Sequence, residues 1–458
     1  MTATYTDERF QPFAELMEAE GLPDIAIRTF AHHYAELVAG ETGQIPERDI
    51  MPATAVPDAD SLSADLAAVG RAALPRTVVI KLNGGLGTTM GLAKAKSLLP
   101  VKEGRSFLEI IARACAHQSV PLLLMNSFAT RDDSLAALAP FAPPVAEGAL
   151  PADFLQHKVP KVTRKDLTCA QWPANPALTW CPPGHGDLYA SLVSSGLLAQ
   201  LLARGYEYAF VSNADNLGAV VDETILGHVA AGDIPFLMEV ADRTAADRKG
   251  GHLARRADGQ LVLRESAQCP AADAEAFGDI ERHRYFNTNN LWLRLSALQA
   301  QLDAGGGILA LPLIVNAKTV DPRDPDSTPV YQLETAMGAA IAVIPGSAAL
   351  RVDRARFSPV KSTGDLLAVR SDAYLLTDDY RVVVHPDRRR GPLSVVLDPA
   401  YYQRIDQLEE RFPHGPPSLI DCDSLEVHGD VHFGHNIRLT GNVHLSSPPG
   451  KTKNVEGT

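Results

Sequence analysis

Cysteine is scarce in this chain of 458 residues. Five are present (Cys115, Cys169, Cys181, Cys269 and Cys422), an odd number, widely scattered and never in C-x-x-C spacing. That pattern excludes a disulfide framework and a cysteine-rich structural zinc site, and it fits a reducing cytoplasm. Long apolar runs are missing as well. No stretch approaches the ~18 residues that a bilayer span requires. The amino-terminal residues, Met1 to Arg9, lack the basic region and apolar core of a signal peptide. Neither a membrane partner nor secretion is expected. Net positive charge is absent too: 55 acidic residues against 42 basic ones give a formal charge of -13, which argues against a general nucleic-acid binder. What remains is the balance of a globular protein, 45% hydrophobic and 21% charged. Its length suggests about two or three domains.

Apolar spacing predicts helices over 7–40, with Phe10, Phe13, Leu16 and Met17 on one pattern and Ile27, Phe30, Tyr34 and Leu37 on a second. Another helix is expected at 61–73 within an Ala-, Pro- and Asp-rich linker, 41–75. Thr77 to Leu82 reads as a buried strand that runs into a glycine loop, Asn83 to Gly91, with a helical stretch after it. Apolar runs at 121–125, 208–211, 235–240 and 291–295 alternate with helices such as 187–204 and 222–231. Such alternation predicts an α/β domain with a mostly parallel, doubly wound sheet covered on both faces.

The tail changes character. From 425, apolar residues recur every six positions (Leu425, Val431, Ile437, Val443). Each has an apolar partner two residues on (Val427, Phe433, Leu439, Leu445), and Gly, Asn and Asp stand at the corners. This hexapeptide pattern predicts a small C-terminal parallel β-helix. So short a coil cannot stand alone, so it must dock on the core or on another subunit, the latter giving a homo-oligomer. The run Asp387 to Pro392, with Arg388, Arg389 and Arg390, reads as a solvated loop.

The segment Leu82-Asn-Gly-Gly-Leu-Gly-Thr-Thr-Met-Gly91 follows the clearest strand. Its glycines let backbone N–H groups approach an anion, so it is a phosphate cradle in principle; a tight turn after a buried strand is the alternative. It is not a P-loop: five residues after Gly84, Gly85 and Gly87 stand Thr89, Met90 and Leu92 rather than lysine. Nor is it a dinucleotide fingerprint, because Gly85, Gly87 and Gly91 are spaced one residue too widely. Lys94 and Lys96 follow; two residues apart they diverge on a helix, so at most one enters the cradle, and Lys96 is favoured. Asp215 stands just beyond the 208–211 strand, where open α/β sheets build ligand sites, and a carboxylate there suits Mg2+. An Asx-turn or helix cap is the other reading. Phe286-Asn-Thr-Asn-Asn290 is polar for a segment leading into Leu-Trp-Leu. It is suited either to sugar hydroxyls or to a turn or edge strand.

Taken together and in order, these residues resemble the eukaryotic-type UTP–glucose-1-phosphate uridylyltransferases (UDP-glucose pyrophosphorylases). The likeness rests on the glycine loop with Lys96-Ser97, Met125-Asn-Ser-Phe128, Phe154-Leu-Gln156, Pro182-Pro-Gly-His-Gly-Asp-Leu-Tyr189 and Ser212-Asn-Ala-Asp-Asn-Leu-Gly218. It continues through Lys249-Gly-Gly251, Phe286 to Trp292, Gln332-Leu-Glu-Thr-Ala336 and Arg356-Phe-Ser-Pro-Val-Lys361. It departs at Ala93-Lys-Ala-Lys-Ser97, where many members carry Gly-Pro before the second lysine, and at Ala241, where Thr is common.

The resemblance implies an α/β, Rossmann-like nucleotidyltransferase fold (GT-A-like), with a mixed sheet flanked by helices. The catalytic domain would span 76–370, between an N-terminal helical region at 1–75 and a C-terminal domain at 371–458. It implies a cytoplasmic, Mg2+-dependent transferase that turns UTP and glucose 1-phosphate into UDP-glucose and pyrophosphate. The sugar phosphate would attack the α-phosphorus of UTP directly. Lys361 and Lys96 are implied to neutralise the reacting phosphates. Leu82, Asn83, Gly84, Gly85, Gly87, Thr88, Lys96, Met125, Gln156, Gly184 and Asp215 are implied to hold the nucleotide, Gln156 by reading the amide edge of uracil. His185, Asn213, Asn287, Asn289 and Lys361 are implied to hold the sugar phosphate, and Asp215 the metal. The rival readings are a broader UDP-sugar enzyme using galactose 1-phosphate or N-acetylglucosamine 1-phosphate, a non-catalytic nucleotide-sugar sensor, and a glycosyltransferase that releases no pyrophosphate.

Overall fold

The computed structural model describes residues 8–141 and 150–457. A ten-stranded mixed sheet forms its centre. The strands that build the site are β1 (Thr77–Asn83), β2 (Leu122–Asn126), β3 (Asp153–Leu155), β4 (Tyr208–Asn213), β5 (Phe236–Asp242), β6 (Tyr285–Arg294) and β7 (Ala348–Arg351). Across the sheet their order is β7-β5-β6-β4-β1-β2-β3. β4, β1, β2 and β3 run parallel, and β5 pairs parallel with β7. β6 is antiparallel to β4 and to β5.

Side-chain alternation sorts these strands between two cores. Val78, Ile80, Ala209, Val211, Phe236, Met238, Leu291 and Leu293 enter one. Val79, Phe210, Leu237 and Trp292 enter the other. Apolar residues on both faces are what a sheet covered on both sides requires.

Helices α1 (Gln11–Ala19) and α2 (Asp24–Val38) occupy the region expected to be helical. Phe10, Phe13, Phe30 and Tyr34 make their aromatic seam, with Phe13 and Tyr34 ring centroids 4.8 Å apart, and it closes over Val159, Val162, Leu313 and Leu333. The helix expected over 61–73 begins only at Leu66, because Asp58 caps a short turn at 59–61 and Leu62 is extended. Helix α3 spans Phe107–His117, and the helix expected over 187–204 is broken by Gly196, at φ +68°, into α4 (Leu188–Ser194) and the short helix Leu197–Ala203. No α-helix follows the glycine loop directly. Tight 3-10 turns at Thr88–Met90 and Lys96–Leu98 come first, and α3 starts at Phe107. The loop therefore has no α-helix N-terminus directly behind it to add positive partial charge.

In the tail, Ser418–His428 pairs parallel with Arg438–Ser446. The register sets Leu425 beside Val443 and Val427 beside Leu445, three six-residue units later in the chain. Leu425, Val427, Val431 and Phe433 are buried in the same core as Phe210, Trp292, Leu366 and Leu367, so the tail docks on this chain's own sheet and helices. Arg388 is not solvated as its run suggested: it is buried and donates to the carbonyls of Leu419, Ile420, Cys422 and Gly391. No helix among the described residues is long and apolar enough to cross a membrane.

Candidate active site

The parallel strands β1, β2, β3 and β4 end along one edge of the sheet, at Asn83, Asn126, Leu155 and Asn213. Immediately beyond those ends come Gly84, Ser127, Gln156 and Asp215, and all four line one cavity of about 730 Å3. Leu82, Asn83, Gly85, Thr88, Lys96, Met125, Gly184, His185 and Asn213 line it too. Strands that stop in register thus converge residues far apart in sequence, as open α/β sheets do at their carboxyl ends.

The end of the cavity around Gly84 and Gly184 is built from backbone. A Cβ on Gly84 would stand 2.7 Å from Gln156 Oε1, so a side chain there would evict the glutamine. Gln156 Nε2 donates to Gly184 O at 3.3 Å. Gly184 has φ +80° and lies against the backbone of Thr335, a position that admits neither the torsion nor the bulk of another residue. The Gly84 carbonyl accepts from Ser127 Oγ at 2.9 Å. Asn83 borders the cavity, but its buried side chain is used internally: Nδ2 donates to Asn126 Oδ1 at 2.7 Å and to Ser134 Oγ at 2.8 Å. Gly87 does not line the cavity, and its Cα is packed against Leu92. Its service is to let the loop fold. Met125 is buried in the core and only its edge reaches the cavity.

Charge enters at Lys96, whose Nζ lies 2.7 Å from Asp215 Oδ2. Lys94 points away and stands 3.8 Å from Asp133 in a mostly exposed pair. Asp215 makes no Asx-turn with its side chain; that work falls to Asn216, whose Oδ1 accepts from the N–H groups of Gly218 and Ser358. Asp215 is the one carboxylate among the described residues lining the cavity. A single protein carboxylate at an open cavity fits Mg2+, which takes its other ligands from phosphates and water. His185 Nδ1 accepts from the Met337 N–H at 3.0 Å, which leaves the proton on Nε2. Burial lowers its pKa to about 4, so it is a neutral donor at pH 7.

The remaining expected residues form a second group next to the cavity rather than in its wall. Asn287, Asn289 and Lys361 belong here. The polar run is neither a turn nor an edge strand; it is the first half of β6, where Phe286 pairs with Ala241 on one side and His252 on the other, and Asn287 pairs with Val240. Its register with β5 shifts between Met238 and Val240, and Asn289 sits at φ +59°. This bulge splits the run. Asn287 Nδ2 donates to Asn289 Oδ1 at 2.9 Å. Thr288 and Asn290 turn the other way and donate to Glu239. Lys361 Nζ lies 5.9 Å from the Phe286 ring centre and 5.4 Å from that of Phe357. Its backbone is fixed just ahead of α5 (Thr363–Arg370): the N–H groups of Lys361 and Ser362 donate to Asp365 Oδ2. The neighbouring Val360 N–H donates to Asp215 O at 3.2 Å, which joins the two groups.

Several residues here carried no assigned role in the sequence reading. Glu265 faces Asn287: burial raises its pKa, opposed by a hydrogen bond from Asn287 and the charge of Lys361. Lys158 pairs with Glu20 and lies 4.8 Å from the Trp180 ring centre, at the cavity mouth beside exposed Phe128. Lys158 stands two residues beyond the Phe154–Gln156 motif, so its nearness in sequence could have found it. Glu265 lies far from every motif, and only the fold brings it in.

Comparison with known proteins agrees with this geometry. A family model described as UTP–glucose-1-phosphate uridylyltransferase matches residues 27–440. The UTP–glucose-1-phosphate uridylyltransferase of Solanum tuberosum is 42% identical over 385 residues, covering 82% of this chain and 78% of the relative. That of Saccharomyces cerevisiae is 38% identical over 377 residues, covering 81% and 74%. A variant of UDP-glucose pyrophosphorylase from Leishmania major superposes with a TM-score of 0.92 at 42% identity, covering 99% of this chain and 97% of the other. A second variant from that organism, in complex with UDP-glucose, gives 0.88 at 42% identity, covering 98% and 99%. With a matched region spanning most of the chain and a fold shared end to end, this protein belongs to the UTP–glucose-1-phosphate uridylyltransferase family.

Proposed function

We propose that this chain is a cytoplasmic uridylyltransferase that makes UDP-glucose and pyrophosphate from UTP and glucose 1-phosphate. The observation that carries the reading is the joining of a backbone-lined cavity, holding the Lys96–Asp215 pair, to the Lys361 segment through the Val360–Asp215 hydrogen bond. Both substrates are anions, so the chain's task is to position them and neutralise charge. Gln156, buttressed by Gly184, would read the uracil edge. The open loop at Gly84 and Gly85 would admit the phosphates, with Lys96 as their cation. His185 would donate from Nε2 to the sugar phosphate without adding charge. Asn213, Asn287, Asn289 and Glu265 would take the sugar hydroxyls. Lys361 would offset the charge that builds as the sugar-phosphate oxygen attacks the α-phosphorus and pyrophosphate leaves. Asp215 would hold Mg2+, which when bound supplies further neutralisation of phosphate charge.

We infer the division 1–75, 76–370 and 371–458, with the tail a short parallel β-helix. Its parallel pairing three hexapeptides apart supports that form. The tail's inward residues are spent on this chain's own core, so a homo-oligomer would have to use its outer face; a sedimentation mass of one chain would reject it.

The deciding experiment supplies purified protein with UTP, Mg2+ and a panel of sugar 1-phosphates, and follows pyrophosphate. Release with glucose 1-phosphate well above the others is expected. Equal release across sugars would replace the glucose reading with a broad UDP-sugar enzyme. No release from folded protein that binds UTP would overturn the transferase reading.

A further inference from the structure

A completely buried carboxylate lies beneath the site and has no place in the chemistry above. Glu239, on β5, is 0% exposed. Its side chain is fully engaged: Arg356 Nε donates to Oε2 at 2.7 Å and Nη2 to Oε1 at 2.6 Å, Trp292 Nε1 to Oε1 at 2.9 Å, and Asn290 Nδ2 to Oε2 at 3.0 Å. An ion pair so deep is a weak source of stability, because desolvating both charges offsets most of their attraction. What this one does is fix geometry. Arg356 O accepts from Asn216 Nδ2 and Asn290 Nδ2, both at 3.1 Å, and Arg356 Nη2 also donates to Val220 O at 2.9 Å. Asn216 follows Asp215, and Arg356 begins the segment that ends at Lys361. Gly218 packs against the backbone of Ala355 with no room for a side chain.

We propose that the buried Glu239–Arg356 pair is a positioning element that sets the separation between the Asp215 turn and Lys361, and through it the rate of nucleotidyl transfer. This rests on the assignment of Lys361 and Asp215 given above. Neither member of the pair lines the cavity, so the pair acts through the residues it holds rather than on substrate.

The test is a double-substitution cycle built on Arg356→Lys, in which a single ammonium keeps the charge but cannot bridge both carboxylate oxygens and Val220 O. With Mg2+, UTP and saturating glucose 1-phosphate, kcat should fall at least ~30-fold while KM for UTP changes less than ~3-fold. In a Lys361→Ala background the same substitution should cost less than ~3-fold, because the residue it positions is gone. Trp292→Phe, which removes one donor and keeps the ion pair, should lower kcat by ~2–5-fold and serves if Arg356→Lys does not fold; its loss too should vanish in the Lys361→Ala background. A loss that persists undiminished in that background overturns the positioning role while leaving Lys361 intact as a functional residue. If Lys361→Ala alone leaves kcat unchanged, the underlying assignment fails, and the strut with it. A fall in melting temperature with kcat per folded molecule unchanged would also overturn the proposal.

Discussion

The two halves of the site are made of different material. The half around the cavity is mostly backbone: Gly84 and Gly184 contribute space, Gln156 is wedged between them, and Asn83 spends its side chain inside the protein. The half around β6 is mostly side chain: Asn287, Asn289, Glu265 and Lys361 approach one another from three separate segments. Under the proposed assignment the cavity half would take the triphosphate, which many N–H groups can recognise over a length of chain, so small residues would serve it. A sugar ring needs a few directed donors and acceptors, so the chain must deliver polar groups and keep them from collapsing on one another. Under the proposed assignment the β6 segment would do this: Thr288 and Asn290 turn toward Glu239, while Asn287 and Asn289 stay together.

The sharpest break should come where the halves meet. Asp215→Ala removes the carboxylate that Lys96 pairs with and that would hold the metal, while the Val360 hydrogen bond to the Asp215 backbone is kept. Turnover should drop by at least ~100-fold, read as pyrophosphate release at saturating substrates. If activity survives within a few-fold, the joint between the halves lies elsewhere.

A smaller pair of effects should separate the halves by substrate. Gly84→Ala drives a methyl against Gln156 Oε1 and should raise KM for UTP about tenfold, a loss of ~1.4 kcal/mol. Glu265→Gln replaces the carboxyl group that Lys361 and Asn287 face and should raise KM for glucose 1-phosphate by about the same factor, leaving that for UTP unchanged. If both variants moved both constants equally, the division into a backbone half and a side-chain half would not describe the enzyme.

The same division explains what was legible in the sequence. Thr77 to Leu82 and the glycine loop were readable because a buried strand and a backbone cradle leave local signatures. Asp215 and Gln156 were readable because they follow apolar strands. Asn287 and Asn289 stood out as polar residues before Leu291 and Trp292. Their fate as two halves of a bulge was not visible, because the register is set by β5, nearly fifty residues earlier in the chain. Glu265 and Glu239 were invisible for the same reason: an isolated acidic residue says nothing until the fold supplies Asn287 or Arg356. The helix expected after the glycine loop failed because Gly91, at φ +76°, ends the first turn, and Ala95 is extended.

Acid should distinguish the halves most gently. His252 lies across from Phe286 on the strand that supports the side-chain half, fully buried, with its Nε2 unpartnered. Burial, helped by the charge of neighbouring His283, lowers its pKa from 6.5 to about 2. Burial lowers that of His185, in the cavity half, to about 4. Both are therefore neutral in the fold but take up a proton on unfolding below pH 6.5. Their stabilisation is complete above 6.5 and is lost as pH falls, ending near 4 for His185 and continuing toward 2 for His252. Between about pH 6.5 and 5.5 each should cost ~1 kcal/mol. His252→Phe, beside Phe277, removes one of these protons. Urea unfolding at the two pH values should show the natural protein losing about 1 kcal/mol more than the variant. Parallel losses in the two proteins would mean that His252 is already protonated in the fold, and that the side-chain half rests on a charged rather than a neutral support.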